Sequence, residues 1–550
     1  MSFWKRKKNK NRSNKGSIGV PHQFLEKHKN EQITGNLEDT LAIIQKLLGA
    51  SDDMVTRRFH VFKEYAAALV YCSSLVDHTL INMDVMKPLM STPPKGGHWN
   101  ENRLKEVIKD ETLYHSDLRL EIDLAKIVHA IHCGETIIFI EGIKDAFVVG
   151  TRKIEKRAID QPGTEQVIRG PREGFIEQIG TNLSLLRYRL QTADFRIKMM
   201  EVGRVTKSKV AICYIEGIAN PKLVEEVKDR IGAIDMDVVL DVGYIEQFIE
   251  DNHLSPFPQI QNTERPDKTV AQLVEGRVAI LADGSPFALI VPTVFHQFYQ
   301  TPEDYAQRFL VASAIRIIRL ISLFFSLITS SLYVAIISFN PELIPTQFAV
   351  AVAGGRAGVP FPAVVEVFVM EVSMEILREA TVRLPQQVGG ALSIVGVLVI
   401  GQAAVSAGFV SPITVVVIAL TTIGSFATPA YNAAIALRLL RFPIIILAGI
   451  FGLYGVMVGI ILIINHMLSL RSYGVPYMSP IVPGNYQGMK DIVIRAPLWW
   501  MKKRPASLHT ANRERLGDDV MQKLKQPPSN TLDPVDVGNR KEDSPDGDTT

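Results

Sequence analysis

LPQQVGGALSIVGVLVIGQAAVSAGFVSPITVVVIALTTIGSFATPAYNAAIAL occupies residues 384–437, and between Arg383 and Arg438 there is no Asp, Glu, Lys or Arg. No water-soluble domain can build its surface from such a stretch. It is more than twice the roughly 20 residues that one bilayer crossing needs. Ser411-Pro412 divides it near the middle, so two crossings are expected, about 388–408 and 412–428. Working outward, Leu320 to Ser338 is uncharged and rich in Leu, Ile and Phe, giving a span at 320–338, and Phe442 to Met467 gives another at 442–467. Segment 361–380 is different, because it carries Glu366, Glu371, Glu375, Arg378 and Glu379. A carboxylate facing lipid at mid-bilayer costs at least about 3 kcal/mol, so these groups are expected to face protein, water or one another. An amphipathic helix, partly inserted or facing a pore, suits them better than a lipid-bathed span.

Flanking cations set the expected orientation. Arg316 and Arg319 place the N-terminal half inside, and Arg471, Arg495, Lys502, Lys503 and Arg504 favour a cytoplasmic C-terminus. Four spans meet both demands but leave Arg438 and Arg441 outside. A fifth crossing at 361–380 brings those arginines inside and moves the tail outside. Four spans are the expectation, although the positive-inside rule is broken either way.

Before residue 320 charges occur throughout, and the patterning is that of α/β structure. Residues 1–35 are a basic tail, with Lys5-Arg6-Lys7-Lys8 attracted to anionic headgroups or simply solvated. No apolar core follows these charges, so they do not begin a secretory signal, and the soluble half is expected in the cytoplasm. Leu41, Ile44, Leu47 and Leu48 have helical spacing. Short apolar runs at 59–62, 67–71, 136–140 and 146–149 read as strands, with a helix at 118–131 between them. This gives a first subdomain over 36–195. A second, over 196–300, has a strand at 210–215, a helix from Pro221, and a hairpin turning at Ala282-Asp283-Gly284-Ser285. No fixed repeat period is visible. Residues 301–319 read as a helix coupling this region to a membrane domain over 320–467, and 468–550 as a hydrophilic tail. The fold class is thus an α/β soluble N-terminal region of two subdomains followed by an α-helical polytopic membrane domain.

A net charge of +3 gives no reason to expect nucleic acid as a partner. Cys72, Cys133 and Cys213 lie far apart without CxxC spacing, so neither disulfides nor a metal site is encoded. No Walker pattern and no Ser/His/Asp set occurs, so no cofactor and no enzymatic activity are expected.

Arg169-Gly170-Pro171-Arg172-Glu173-Gly174-Phe175, then Thr181-Asn182 and Arg187-Tyr188-Arg189-Leu190, resemble the signature of the GerA family of spore germination proteins, A subunit. Arg383-Leu384-Pro385, the strings at 393–396 and 399–405, Arg438 to Pro443, Arg471 to Tyr477 and Arg495 to Trp499 resemble it too. The likeness runs from about residue 36 to 505. It implies a subunit in the inner membrane of the spore, acting with a transporter-like B subunit and a lipoprotein C subunit. It further implies self-association, as a pentamer, into a nutrient-gated channel.

The residues can support such chemistry. Val395, Val399, Gln402 and Ser406 share one helix face, where valines can gate by dewetting and the polar pair can hydrate an ion. Ordinary helix packing explains the same face. Glu366, Glu371 and Glu375 could form carboxylate rings that attract cations, although Arg378, three residues on from Glu375, offers a local ion pair. Arg172, Glu173 and Arg187 are candidates for subunit or subdomain contacts. A secondary transporter with a sensing soluble domain, or a passive scaffold for receptor partners, are the competing functions.

Overall fold

The computed structural model describes residues 33–91, 99–153, 161–382 and 401–517. The soluble half begins with helix α1 (Leu37–Leu48), started by the Asn36 side chain, which accepts from the Glu38 and Asp39 amides. Strands β1 (Met54–Val61), β2 (Tyr65–Cys72), β3 (Leu118–Glu121), β4 (Thr136–Ile140) and β5 (Ala146–Val149) form one antiparallel sheet in the order β1-β2-β4-β5-β3. The helix expected at 118–131 is shorter than its pattern suggested. Leu118-Arg119-Leu120-Glu121 alternates with period two and pairs with β5, and helix α2 (Leu124–His132) starts only after Asp123 caps it. Helices α1 and α2 pack on one face of the sheet, and helical residues between 81 and 108 cover the other.

Helix α3 (Ile179–Arg189) opens a second unit. Its strands are β6 (Phe195–Val202), β7 (Ser208–Ile215), β8 (Gln261–Thr263), β9 (Val278–Ala282) and β10 (Ala288–Val291), joined through helices α4 (Pro221–Gly232), α5 (Val242–Ile249) and α6 (Pro266–Glu275). The sheet order is β6-β7-β9-β10-β8, the same permutation as in the first unit. α3 and α6 lie on one face, α4 and α5 on the other. The two units are therefore structural repeats, contrary to the reading that no period exists. Their left-handed glycines mark the offset: Gly134 and Gly142 precede Gly276 and Gly284 by 142 residues each. In both units the first glycine follows a helix and the second turns a hairpin, positions where a side chain would be strained.

The sheets meet the helical half through a single turn at Glu303–Ala306, after which Gln307 and Arg308 are extended. The coupling helix expected over 301–319 is therefore broken at Gln307 and Arg308, and from Phe309 onward it is continuous with the first apolar stretch as helix α7 (Phe309–Phe339), roughly 46 Å long at 1.5 Å per residue. Helices α8 (Thr346–Arg356), α9 (Ala363–Val382), α10 (Pro412–Phe426) and α11 (Tyr431–Ser469) follow. The expected span at 388–408 falls largely outside the described residues, of which 401–406 are helical. Segment 361–380, expected as an amphipathic helix partly inserted or facing a pore, lies in α9, which packs among α7, α10 and α11.

The single span expected at 442–467 is corrected most sharply. α11 is two helices, because Gly452 has φ 60° and ψ −141°, a backbone open in practice only to glycine. The chain reverses there. A Cβ on Gly455 would collide with the Leu447 carbonyl oxygen, and one on Gly459 would lie within 3.3 Å of Ile444, so the arms 431–451 and 453–469 pack antiparallel. At 1.5 Å per residue they are about 31 and 25 Å long. Glycine at 455 and 459 is what lets the backbones approach.

The bundle is patterned inside out. Ser326, Ser330 and Ser331 of α7 and Thr414, Thr421 and Ser425 of α10 are buried, whereas Phe324, Phe325, Ile423 and Phe426 are more than half exposed. α7 and α11 are long and apolar enough to cross a membrane. Residues after 469 are not a free tail as far as 517. Ser472 accepts from the Thr293 amide and donates to the Gln259 carbonyl, and Arg504 donates to the Val274 carbonyl, fastening this segment to the second unit.

Candidate functional site: a charged seam through the helical bundle

Three carboxylates on α9 face inward and form successive rungs. Glu366 accepts from Arg356 Nε at 3.0 Å, from the Ser411 amide at 3.1 Å and from Thr414 Oγ1 at 3.0 Å. Glu371 accepts from Ser330 Oγ at 2.6 Å, from Thr421 Oγ1 at 3.3 Å and from Arg441 Nη1 at 2.5 Å. Glu375 bridges Arg378, at 3.1 Å, and Arg438, at 3.2 Å. Glu366 and Glu371 are each about 1% exposed, so removal from water has to be offset by these partners. Each rung ties α9 to a different set of neighbours: α8 and α10, then α7, α10 and α11, then α11 again. The rungs thus meet the demand, evident from the sequence, that such carboxylates face protein.

The base of α7 carries a second cluster. Asp304 accepts from Arg316 Nε at 2.9 Å and from both Arg319 guanidinium ends at 3.1 Å. Burial would raise the Asp304 pKa, but the two arginines outweigh it and hold the carboxyl below its usual range. Arg316 also reaches Asp491 of the C-terminal segment at 2.7 Å, and Tyr305 donates to the same carboxylate. At the end of α11 the His466 ring lies 2.9 Å from Ser255 Oγ on the second unit. The first and last helices are therefore both anchored to the soluble half.

A third cluster joins the two α/β units. Arg187 on α3 is fully buried and grips Asp53, before β1, with Nε and Nη2 at 2.8 and 2.9 Å, while Nη2 also donates to Ser51 Oγ. Burial would raise the Asp53 pKa; the charge and hydrogen bonds of Arg187, with those of Ser51 and Cys72, lower it to about 2. The buried Cys72 thiol is pushed up to about 12, mainly by desolvation, so it is no nucleophile.

Other candidates fall elsewhere. Glu173 pairs with Arg189 at 2.5 Å, and Arg172 is exposed. Gln402 and Ser406 are exposed on the helix 401–406, whose Ala404 and Val405 pack on the bundle; Val395 and Val399 lie outside the described residues. Sequence reasoning missed Arg356, Arg438 and Arg441 as partners of the glutamates. The available signal was their position in or beside apolar helices, where an unpaired cation is costly.

Residues 42–507 match the family described as Bacillus/Clostridium GerA spore germination protein. Spore germination protein KA of Bacillus subtilis (strain 168) is 43% identical over 496 residues, covering 90% of each chain. The uncharacterised membrane protein YfkQ of the same strain is 40% identical, over 89% of this chain and 95% of its own. Spore germination protein GerLA of Bacillus cereus is 38% identical, over 87% and 97%. The crystal structure of the N-terminal domain of the A subunit of the Bacillus megaterium spore germinant receptor GerK3 is 34% identical, covering 48% of this chain and 98% of that one, with a TM-score of 0.39.

Proposed function

The chain belongs to the Bacillus/Clostridium GerA spore germination protein family, as a germinant-receptor A subunit, and on that premise we propose that it forms a nutrient-gated ion channel. In this reading it self-associates around an axis, as a pentamer, in the inner spore membrane, with transporter-like B and lipoprotein C subunits as partners. One observation carries the reading. Gln402, Ala403, Ser406 and Ala407 are exposed, on a helix whose other side packs on the bundle, while α7, α10 and α11 turn large apolar side chains outward. A polar, small-residue face in that setting needs water or sister copies rather than lipid.

The internal contacts support six crossings. α7 leaves the soluble half, and its far end, Phe339, meets Gly452. α9 begins at that far end, where Val364 meets Gly449, and ends beside the soluble half. The chain is back at the far end by Phe409, against Phe361. α10 then returns, and the two arms of α11 go out and back. Six crossings put Arg316, Arg319, Arg438, Arg441 and Arg471 toward the soluble, cytoplasmic side, which removes the conflict with the positive-inside rule.

The test is ion flux through liposomes containing the purified chain. Val399→Ala is expected to make the pore leaky and Gln402→Leu to suppress flux. Flux unchanged by both substitutions removes this helix from the pore. A purified chain that never conducts, while its deletion merely lowers the abundance of the partner subunits, favours the scaffold.

A further inference from the structure

Where the bundle meets the second α/β unit there is a cavity of about 1030 Å³, walled by the ends of α9, α10 and α11 and by residues 164–167 and 300–302. Most of its wall is apolar, including Met374, Leu377 and Phe426, but two guanidinium groups, Arg378 and Arg438, also line it. These two cations share one carboxylate, Glu375, which leaves a positive surplus. Glu165, the carboxylate among the described residues of the wall, is engaged by Lys268 at 2.6 Å. Arg438 is only 9% exposed, and its one close carboxylate contact is through Nε; no hydrogen bond occupies its Nη atoms among the described residues. Thr422, 8% exposed on the same wall, has an Oγ1 without a partner. A buried hydroxyl left without a partner is costly, and beside two guanidinium groups it signals an occupant that supplies acceptors.

We propose that this cavity binds an anionic glycerophospholipid of the leaflet on the soluble-half side. Its phosphate sits between Arg378 and Arg438 within reach of Thr422, and an acyl chain lies along Met374, Leu377 and Phe426. This rests on the membrane-spanning reading of the bundle. The chemistry is that of a headgroup pocket between helices, where basic side chains at the interface select anionic lipid. A lipid there bridges α9, α10 and α11 next to Gln300–Pro302, the stretch leading into the base of α7, and so couples leaflet composition to the joint between soluble and helical halves.

The experiment uses the full chain purified in mild detergent and presented with photo-crosslinkable phosphatidylglycerol or phosphatidylcholine, with inorganic phosphate as competitor. Phosphatidylglycerol is expected to be captured at residues of the cavity wall, about tenfold better than phosphatidylcholine. Arg378→Gln with Arg438→Gln should abolish the preference. Because those arginines also hold Glu375, Leu377→Trp is made in parallel; it fills the cavity, leaves both cations, and should abolish capture while the elution volume stays unchanged. Equal capture of the two lipids overturns the proposal, as does a preference that survives Leu377→Trp. Displacement of the lipid by inorganic phosphate at comparable concentration overturns it too, because the site is then one for a free anion. Flotation of the chain with phosphatidylcholine vesicles tests the membrane reading separately, so the two failures are distinguishable.

Discussion

Glu371→Gln isolates the middle rung of the seam. Both partners have side chains only 2% exposed, and the guanidinium of Arg441 has a single acceptor, because its Nε and Nη2 are unpartnered. Neutralising Glu371 leaves a buried cation, and the next carboxylate along α9, Glu375, is already shared by Arg378 and Arg438. Breaking a buried ion pair from one side costs about 3–5 kcal/mol, and the amide oxygen left at position 371, which can still accept from Arg441, puts this case toward the lower end. The double variant Glu371→Gln with Arg441→Met removes the stranded charge and should recover most of that loss. The assay is reversible denaturation in mixed micelles for the wild type, both single variants and the double variant. A loss below about 1 kcal/mol for Glu371→Gln, or additive losses in the double variant, would refute the account of the seam as a chain of obligate pairs.

Gly452→Ala should destabilise the chain by about 1–3 kcal/mol from backbone strain alone, with more from the Phe339 ring, whose Cγ lies 2.9 Å from the added methyl; Phe339→Ala should relieve only the second part. Gly455→Ala has no flexible neighbour to displace, since its methyl would collide with the Leu447 backbone carbonyl, and should prevent formation of the hairpin, measured as loss of the folded elution peak. Asp53 is held at about 2 against about 3.9 unfolded, so its contribution, about 2.5 kcal/mol, is complete above pH 4 and is lost as pH falls toward 2. Hydrogen exchange across β1 and β2 should show that acid sensitivity in the wild type and lack it in Asp53→Asn. Asp304→Asn frees Arg316 and Arg319 from their shared acceptor, and tryptic cleavage at Arg308 should accelerate. An unchanged cleavage rate would mean that Asp304 does not hold the joint.

The sheet strands were legible because short continuous apolar runs such as 136–140 and 146–149 are bounded by glycine and charge. The repeat was not legible, because its 142-residue offset is carried by a few constrained positions. Gly134 and Gly276, Ile138 and Ile280, Gly142 and Gly284, Ala146 and Ala288 recur, while most of the residues between them differ. The glutamates of α9 were readable as needing partners, since the cost of a carboxylate in an apolar helix depends on residue type alone. Their partners were not: Glu371 and Arg441 are 70 residues apart, and which cation meets which anion depends on how the helices stack. The reversal at Gly452 was hidden for a different reason. Glycine is common in apolar helices, and nothing in the sequence separates one with a left-handed backbone from its helical neighbours.

Thiol accessibility on the two arms of α11 tests the six-crossing arrangement most directly. In a Cys133→Ser background, where Cys72 and Cys213 are buried, a cysteine replaces Tyr454 at the turn or Ser469 at the end of the second arm. A membrane-impermeant maleimide should label Tyr454→Cys in intact cells and Ser469→Cys only after permeabilisation. Labelling of Ser469→Cys from outside, with Tyr454→Cys protected, would mean that α11 crosses once, and the arrangement built on its reversal would be wrong.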